Sequence, residues 1–241
     1  MWADSGEHEK IQRVIDAVFS GKQRPVILEA GCGSRSHVHF PSDARIVGID
    51  ISEDQLIRNQ GLDERIQGDI QSYEFPEQSF DAIVCWDVLE HLARPEAALE
   101  RFGRAIRDDG VIILSGPNPL SAKGIITKLT PYRFHIWFYR NLRGLKEAGT
   151  PGNPPFPTYL RLSITPNAIK KFARRNGLAV LHESVFGYGD SRDVISRKSR
   201  AFDVVMKALN ATARALSLGR IHPEATQCYF VLQRKATRGS K

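Results

Sequence analysis

The most informative segment of the sequence is Pro25-Val26-Ile27-Leu28-Glu29-Ala30-Gly31-Cys32-Gly33. A short apolar run ends in Glu29, and two glycines follow at once. This pattern predicts a buried strand that feeds a tight turn. In an open parallel sheet such a turn lies beyond the carboxyl end of the strand, where ligands bind. The glycine pair alone is weak evidence, because ordinary tight turns and many nucleotide sites contain it.

Helices and strands alternate around this segment. Helical spacing predicts a helix over Glu7–Phe19, and Ser52 with Gln55 forms a capping box that starts another. A third helix opens at Pro95, carries Ile106 on its apolar face and ends at Asp109-Gly110. The remaining predicted elements are strands at Arg45–Asp50, Phe80–Trp86, 111–114, 178–185 and 227–233, and helices at 166–176 and 199–218. This order predicts an α/β fold, with a mostly parallel twisted sheet and helices on both faces.

Composition and charge restrict the class of protein. The 241 residues are 41% hydrophobic and 25% charged, which fits one folded domain with a sizeable core. No signal peptide and no membrane span are evident, and the three cysteines are too scattered for a disulfide framework or a metal site. We therefore expect a soluble, cytoplasmic protein that binds no metal.

The charge is divided unevenly along the chain. Residues 1–117 carry 12 Lys and Arg against 21 Asp and Glu, whereas residues 118–241 carry 22 against 6. The second part therefore has a net charge of +16. Either it meets an anionic partner, such as a phosphorylated molecule, a nucleic acid or a lipid surface, or it is a solvated basic surface.

Two acidic positions follow the glycine turn. Asp50 ends the second strand about twenty residues after the turn, where a carboxylate can accept hydrogen bonds from both hydroxyls of an adenosine ribose. A nicotinamide enzyme shows the same two features. Gly68-Asp69-Ile70 precedes the third predicted strand, where Asp69 is placed to bind an adenine amino group. Dinucleotide fingerprints contain no such step.

These segments, together with Phe80–Trp86 and the following Asp87-Val88-Leu89-Glu90-His91-Leu92, resemble the successive motifs of class I S-adenosylmethionine-dependent methyltransferases. The resemblance covers about residues 8–117 and is strongest to the small-molecule branch that includes the ubiquinone-biosynthesis O-methyltransferases. It implies the Rossmann-like fold of that family and S-adenosylmethionine as the cofactor. One departure is Arg35, which stands where the family often has a third glycine.

The resemblance also assigns residues to the cofactor. Glu29, Gly31, Cys32 and Gly33 correspond to the motif that holds its methionine part. Asp50 corresponds to the family's acidic residue that binds the ribose, and Ile51 corresponds to the residue that lies against the adenine. Asp69 corresponds to the acidic residue on the adenine side of the site, and Ile70 follows it. Trp86 corresponds to a residue that contacts the cofactor through its backbone. We expect one methyltransferase domain over 1–241, divided into a cofactor half (7–117), an inserted lid or acceptor region (118–163) and closing helices and strands (164–241).

Catalytic candidates follow the strand Phe80–Trp86. Methyl transfer to a hydroxyl needs alignment, exclusion of water and removal of a proton. His91 is the first candidate for the general base, because the ordinary pKa of histidine is near 6.5. Asp87 is the second, and His135 is a weaker one. Each of them also has a purely structural interpretation.

The remaining segments leave alternatives open. The aromatic cluster 132–140 forms either a lid over an apolar acceptor or a helix that packs its rings into the core. The basic helix 199–218, with its flank to residue 220, contacts a membrane or packs on its own sheet.

The predicted function is methylation of a small molecule, on oxygen rather than nitrogen, with an anionic, saccharide or lipid-linked acceptor. Methylation of RNA or another nucleic acid is the alternative within the same class. A nicotinamide-dependent oxidoreductase and a catalytically silent cofactor-binding protein are the alternatives from other classes. The acceptor, the methylated atom and the oligomeric state are not predicted.

Overall fold

The computed structural model describes residues 6–142, 144–150, 153, 155–187, 204, 208, 211, 212, 214, 215 and 223–235. Its helices and strands, in chain order, are α1 (Glu7–Phe19), β1 (Val26–Ala30), β2 (Arg45–Asp50), α2 (Glu53–Arg58), β3 (Glu64–Gln67), β4 (Phe80–Trp86), α3 (Pro95–Ala105), β5 (Ile106–Pro117), α4 (Ala122–Leu129), α5 (Tyr132–Asn141), α6 (Pro166–Arg175), β6 (Leu178–Phe186) and β7 (Gln227–Arg234). A 3₁₀ turn, Leu89–His91, follows β4.

The seven strands form one sheet in the order β3-β2-β1-β4-β5-β7-β6. Neighbours from β3 to β5 are parallel, whereas β7 runs antiparallel to both β5 and β6. The predicted α/β fold with a mostly parallel sheet is confirmed. Because β1 to β4 run in one direction, their carboxyl ends lie at one edge, and every candidate site residue except His135 follows or ends one of them.

Helices cover both faces of the sheet, as predicted. Alternating strand side chains point to opposite faces, so Ile27 lies in the cluster with α1 while Leu28 lies in the cluster with α3 and α6. Both side chains are completely buried. Near-continuous apolar strands such as β1 and β4 are therefore a consequence of burial on two sides.

The predicted end of α3 is wrong. The helix ends at Ala105, and Ile106 begins β5, where it is fully buried and pairs with Phe80. Between the pairs Phe80–Ile106 and Ala82–Val111, β4 advances two residues while β5 advances five. Asp109-Gly110 therefore lies in a bulge of the strand rather than at a helix end, and the positive φ of Asp109 (57°) fits that bulge.

Strand β3 and helix α4 were not predicted from the sequence, and a helix was only one of two alternatives for the segment that forms α5. The edge strand β3 is mostly exposed, so its sequence, Glu-Arg-Ile-Gln, lacks an apolar pattern. Region 118–163 contains α4 and α5. The cluster 132–140 is helical, but the hypothesis that it packs into the core is wrong, because no residue of α5 is buried.

The predicted helix 199–218 lies almost entirely outside the described residues. Within the described part of the chain, no helix combines the length and the apolar character needed to cross a membrane.

Candidate active site

The turn after β1 requires glycine. Gly31 and Gly33 have positive φ angles of 73° and 55°. The Gly31 amide donates to the Ile49 carbonyl at 2.7 Å, which fixes the turn against the end of β2. A Cβ atom at Gly31 would lie 2.5 Å from Cγ2 of Val88. The turn is therefore held in a backbone conformation and a packing that other residues do not reach without strain.

Glu29 lies at the end of β1, immediately before this turn. Its side chain is buried and accepts a hydrogen bond of 2.6 Å from the Ser36 hydroxyl. Burial raises the pKa of the Glu29 carboxyl, and the Ser36 hydrogen bond opposes that rise. A buried acidic group with one hydroxyl partner is suited to pair with a cationic ligand group.

Asp50 and Ile51 present complementary surfaces at the end of β2. The two carboxylate oxygens of Asp50 accept hydrogen bonds from the amides of Gly33 (3.0 Å) and Ser52 (2.9 Å), which hold the side chain in one orientation. The N-cap half of the predicted capping box is confirmed, since the Ser52 hydroxyl accepts from the Gln55 amide, whereas the Ser52 amide donates to Asp50 and not to the Gln55 side chain. The Ile51 side chain is 73% exposed. An oriented carboxylate beside an exposed apolar side chain fits a sugar joined to a flat ring.

Asp69 follows β3, at the same edge of the sheet. Its Oδ1 accepts a hydrogen bond of 2.8 Å from the Gln71 amide, and the Gln71 side chain donates to both carboxylate oxygens.

The side chains of Ile70 and Cys32 are buried in core clusters. Burial also raises the pKa of the Cys32 thiol to about 12. Any ligand contact at Ile70 or Cys32 therefore involves the main chain.

Asp87 occupies a strained turn immediately after β4. Its φ angle is 53°, in the left-handed region that residues with side chains rarely adopt. Its Oδ1 accepts hydrogen bonds from the Ser115 hydroxyl (2.9 Å) and the Gln227 side-chain amide (2.7 Å). These partners on β5 and β7 fix the carboxylate at the centre of the edge, where strained residues often have a functional role.

The hydrogen bonds of His91 define its tautomer. Nδ1 lies 2.7 Å from the Pro157 carbonyl oxygen. Because a carbonyl only accepts hydrogen bonds, Nδ1 carries the proton and Nε2 keeps its lone pair. Burial lowers the pKa of His91, while the bond to Pro157 and the Asp87 carboxylate partly oppose that change. A neutral imidazole with a free Nε2 is a competent general base.

Glu90 is a buried acid next to His91. It is 6% exposed, and its Oε2 has no hydrogen-bond partner. Burial, and secondarily the Asp87 carboxylate, raise the pKa of Glu90 well above its ordinary value and so favour its protonated form. Its Oε1 lies 3.8 Å from Nε2 of His91, beyond hydrogen-bond distance.

Sequence reasoning missed the aromatic surroundings of Trp86. The His37 ring stacks on Trp86 with centroids 6.0 Å apart, and His8 meets it edge-on at 5.3 Å. Tyr229 of β7 packs against another side of the indole at 4.9 Å. No local pattern marks these residues, because α1, the loop after β1 and β7 bring them together.

The third catalytic candidate, His135, bonds through Nε2 to the Thr130 hydroxyl at 2.6 Å.

Within the described residues, no group of three His, Cys, Asp or Glu side chains is arranged to hold a metal ion. Acidic residues lie in or just after β1, β2 and β3, and His91 lies just after β4. This fold and this order of residues are similar to those of S-adenosylmethionine-dependent methyltransferases.

Comparison with known proteins supports the same class. Residues 28–114 match a family model described as a methyltransferase domain. A probable S-adenosylmethionine-dependent methyltransferase of Mycolicibacterium smegmatis is 29% identical over 112 residues, 44% of each chain. A ubiquinone biosynthesis O-methyltransferase of Hydrogenovibrio crunogenus is 22% identical over 193 residues, 73% of this chain and 74% of that protein.

A solved structure agrees with the fold. Magnesium protoporphyrin IX methyltransferase of Synechocystis, with bound S-adenosylhomocysteine, has a TM-score of 0.52 at 16% identity, over 95% of this chain and 84% of that chain. The chain spans less than half the length of the first curated relative, which shares its domain rather than its whole sequence. Residues 28–114 thus match a methyltransferase domain, and the chain has a Rossmann-like fold similar to that of the solved methyltransferase.

Proposed function

We propose that the protein transfers a methyl group from S-adenosylmethionine to an oxygen atom of a small molecule. The observation that carries the proposal is the placement of Glu29, Asp50 and Asp69 at one edge of the sheet, at the ends of three adjacent strands. His91 follows the next strand of the same edge. Cofactor-binding groups and a proton acceptor are thus neighbours.

The residues at this edge fit the parts of the cofactor. Glu29 and the turn Gly31-Cys32-Gly33 hold the methionine part, with the buried carboxyl facing its ammonium group. Asp50 accepts hydrogen bonds from the ribose hydroxyls, and the exposed Ile51 supports the adenine. Asp69 binds the adenine amino group, Ile70 and Trp86 contribute main-chain contacts, and the cofactor supplies a methyl group on a positively charged sulfur.

The remaining residues act on the acceptor. His91 removes the proton of the acceptor hydroxyl at Nε2, since Nδ1 is occupied by Pro157. Asp87 favours the protonated imidazole that results, because a nearby negative charge stabilises a positive one. The rings of Trp86 and His37 offer a flat apolar wall beside this base. The basic second part of the chain favours an anionic, saccharide or lipid-linked acceptor.

The test has two parts. Calorimetry should detect S-adenosylmethionine and S-adenosylhomocysteine binding, with a Kd below about 1 mM, and no binding of reduced nicotinamide dinucleotide. Cell extracts incubated with the protein and labelled cofactor should then yield a small molecule whose mass increases by one methylene. Label recovered only in RNA would replace the small-molecule acceptor with a nucleic acid. Cofactor binding without methylation of any acceptor would indicate a silent binding protein.

A further inference from the structure

Helices α4 and α5 and the residues just after them form an exposed apolar surface, which we call the α4–α5 face. Leu129 is 78% exposed and Trp137 is 51% exposed. The rings of Phe134 and Trp137 stack on each other, with centroids 5.7 Å apart, rather than packing into the core. The other apolar side chains of the face, all more than one-third exposed, are Ile125, Ile126, Leu142 and Leu145. Exposed apolar side chains grouped on two successive helices in this way indicate a binding surface.

The charges around this face have one sign. Residues 110–146 contain six Lys or Arg residues and no Asp or Glu. Lys123 and Lys128 lie on α4, and Arg133 and Arg140 lie on α5. None of these four takes part in a salt bridge among the described residues. A complementary partner is therefore apolar at its centre and anionic around it.

The α4–α5 face continues into the candidate active site. The Tyr132 hydroxyl, at the start of α5, donates to the Pro155 carbonyl at 2.8 Å. The next residue, Phe156, meets the His91 ring edge-on at 5.9 Å, and Pro157 holds Nδ1 of His91. A partner seated on the face would thus border the site where the acceptor is expected.

We propose that the α4–α5 face docks on an anionic lipid bilayer and presents the active site to an acceptor held in that bilayer. Exposed Trp, Phe, Ile and Leu side chains enter the boundary between headgroups and acyl chains, while Lys and Arg meet the lipid phosphates. An anionic protein surface fits less well, because the apolar centre would also need a matching hydrophobic patch. The statement about the acceptor rests on the proposed function, whereas the docking itself does not.

Vesicle sedimentation tests the docking directly. The full chain is mixed with vesicles of phosphatidylcholine alone or of phosphatidylcholine with phosphatidylglycerol. We expect binding to the anionic vesicles that weakens with added salt, and at least about tenfold weaker binding after Leu129→Glu or Trp137→Glu. Lys128→Glu with Arg133→Glu should weaken binding to the anionic vesicles by a similar factor or more, because each basic residue near the surface contributes about fivefold.

A matched control separates the face from general surface hydrophobicity. Ile57 on α2 is 60% exposed, so Ile57→Glu makes a comparable change elsewhere and should leave vesicle binding unchanged. Trp137 also provides a spectroscopic signal, since Trp86 is buried and Trp2 can be replaced by Phe. In the Trp2→Phe protein, anionic vesicles should shift the tryptophan emission to shorter wavelength, and Trp137→Phe should remove the shift.

Several results would overturn the docking proposal. One is the absence of binding to anionic vesicles, and another is a loss of binding in Ile57→Glu equal to the loss in Leu129→Glu. A third is a concentration-dependent dimer that Leu129→Glu dissociates, because the face would then bind a second copy of the chain. Cofactor affinity, measured on the same variants, keeps the two proposals apart. Vesicle binding without cofactor binding would leave the docking intact and contradict the proposed function.

Discussion

Three ionisable side chains close together in the chain, Asp87, Glu90 and His91, have different surroundings. Asp87 accepts two hydrogen bonds at the surface, whereas Glu90 is buried with one oxygen unpartnered. His91 lies between these extremes, with one nitrogen bonded to a carbonyl. Burial therefore shifts the pKa of Glu90 upwards and the pKa of His91 downwards, in each case towards the neutral form.

Replacement of His91 tests its role as the base. We expect His91→Ala to lower turnover by roughly 10²-fold or more with unchanged cofactor affinity, because proton removal is lost while the cofactor residues remain. In the wild type, the acidic limb of the rate profile should lie below pH 6.5, since the pKa of His91 is lowered. Turnover and calorimetry on His91→Ala and His135→Ala decide between the two histidines. Normal turnover in His91→Ala would exclude it as the base.

Asp87→Asn changes the charge next to His91 while keeping an oxygen that can accept from Ser115 and Gln227. The Asp87 carboxylate raises the pKa of His91, so its removal should lower that pKa further. The acidic limb of the rate profile should then move to lower pH, and the imidazole signals in NMR should titrate at lower pH. A limb that stays in place or moves to higher pH would contradict this coupling.

Glu90 makes the stability of the fold depend on pH. Its folded-state pKa lies well above 4.5, so between these two values the unfolded chain ionises while the folded chain keeps the proton. The contribution of Glu90 to stability is therefore complete below pH 4.5 and decreases as pH rises. Glu90→Gln should therefore gain stability relative to wild type as the pH rises towards 7, because the amide does not ionise.

Urea unfolding at several pH values measures this effect. The difference between Glu90→Gln and wild type should grow from pH 4.5 upwards. Glu100→Gln, on the exposed side of α3, provides the matched control and should show no such growth. A difference that is constant with pH would mean that Glu90 is ionised in the folded protein.

At the scale of elements, the glycine turn that follows β1 combines two constraints on its backbone. Gly31 has a positive φ and no space for a Cβ atom beside Val88. The turn is in addition bonded to the end of β2 through the Ile49 carbonyl. Movement of the turn would therefore also move Gly33, whose amide orients Asp50. Cofactor affinity should depend on the shape of the whole turn and not on one side chain.

Gly31→Ala tests this dependence. We expect a loss of about 1–3 kcal/mol in the free energy of unfolding, because the residue is strained and overpacked. We also expect at least about tenfold weaker cofactor binding by calorimetry, because the turn and Asp50 shift together. Gly21→Ala is the matched control. It has a similar φ of 80° with open space around it, so it should cost stability but leave cofactor affinity unchanged.

At the scale of the whole molecule, the sheet unites acidic and basic parts of the chain. β7 lies between β5 and β6, so the basic second part contributes Gln227 and Tyr229 to a site whose acidic residues come from the first part. The carboxyl edge of the sheet carries Glu29, Asp50 and Asp69, whereas the charged residues of α4 and α5 are all basic. This separation suits a cationic cofactor group on one side of the site and an anionic surface on the other.

The sequence by itself determined most of the sheet and the acidic residues at the carboxyl ends of its strands. Apolar runs, glycine pairs and caps are local signals, so β1, β2, β4 and the acids Glu29, Asp50 and Asp69 could be predicted from their neighbours. The exposed edge strand β3 and the end of α3 could not, because β3 lacks an apolar pattern and Ile106 fits a helix face as well as a strand.

Only the tertiary structure decided how the site is completed. Asp87 is fixed by Gln227, 140 residues away, and the tautomer of His91 by Pro157, 66 residues away. Such contacts depend on where β7 and the segment after α5 pack, and no local pattern records that position. The exposure of Trp137 is of the same kind, since an aromatic helix has the same sequence whether its face is buried or not. Local periodicity specifies an element, and packing specifies what that element meets.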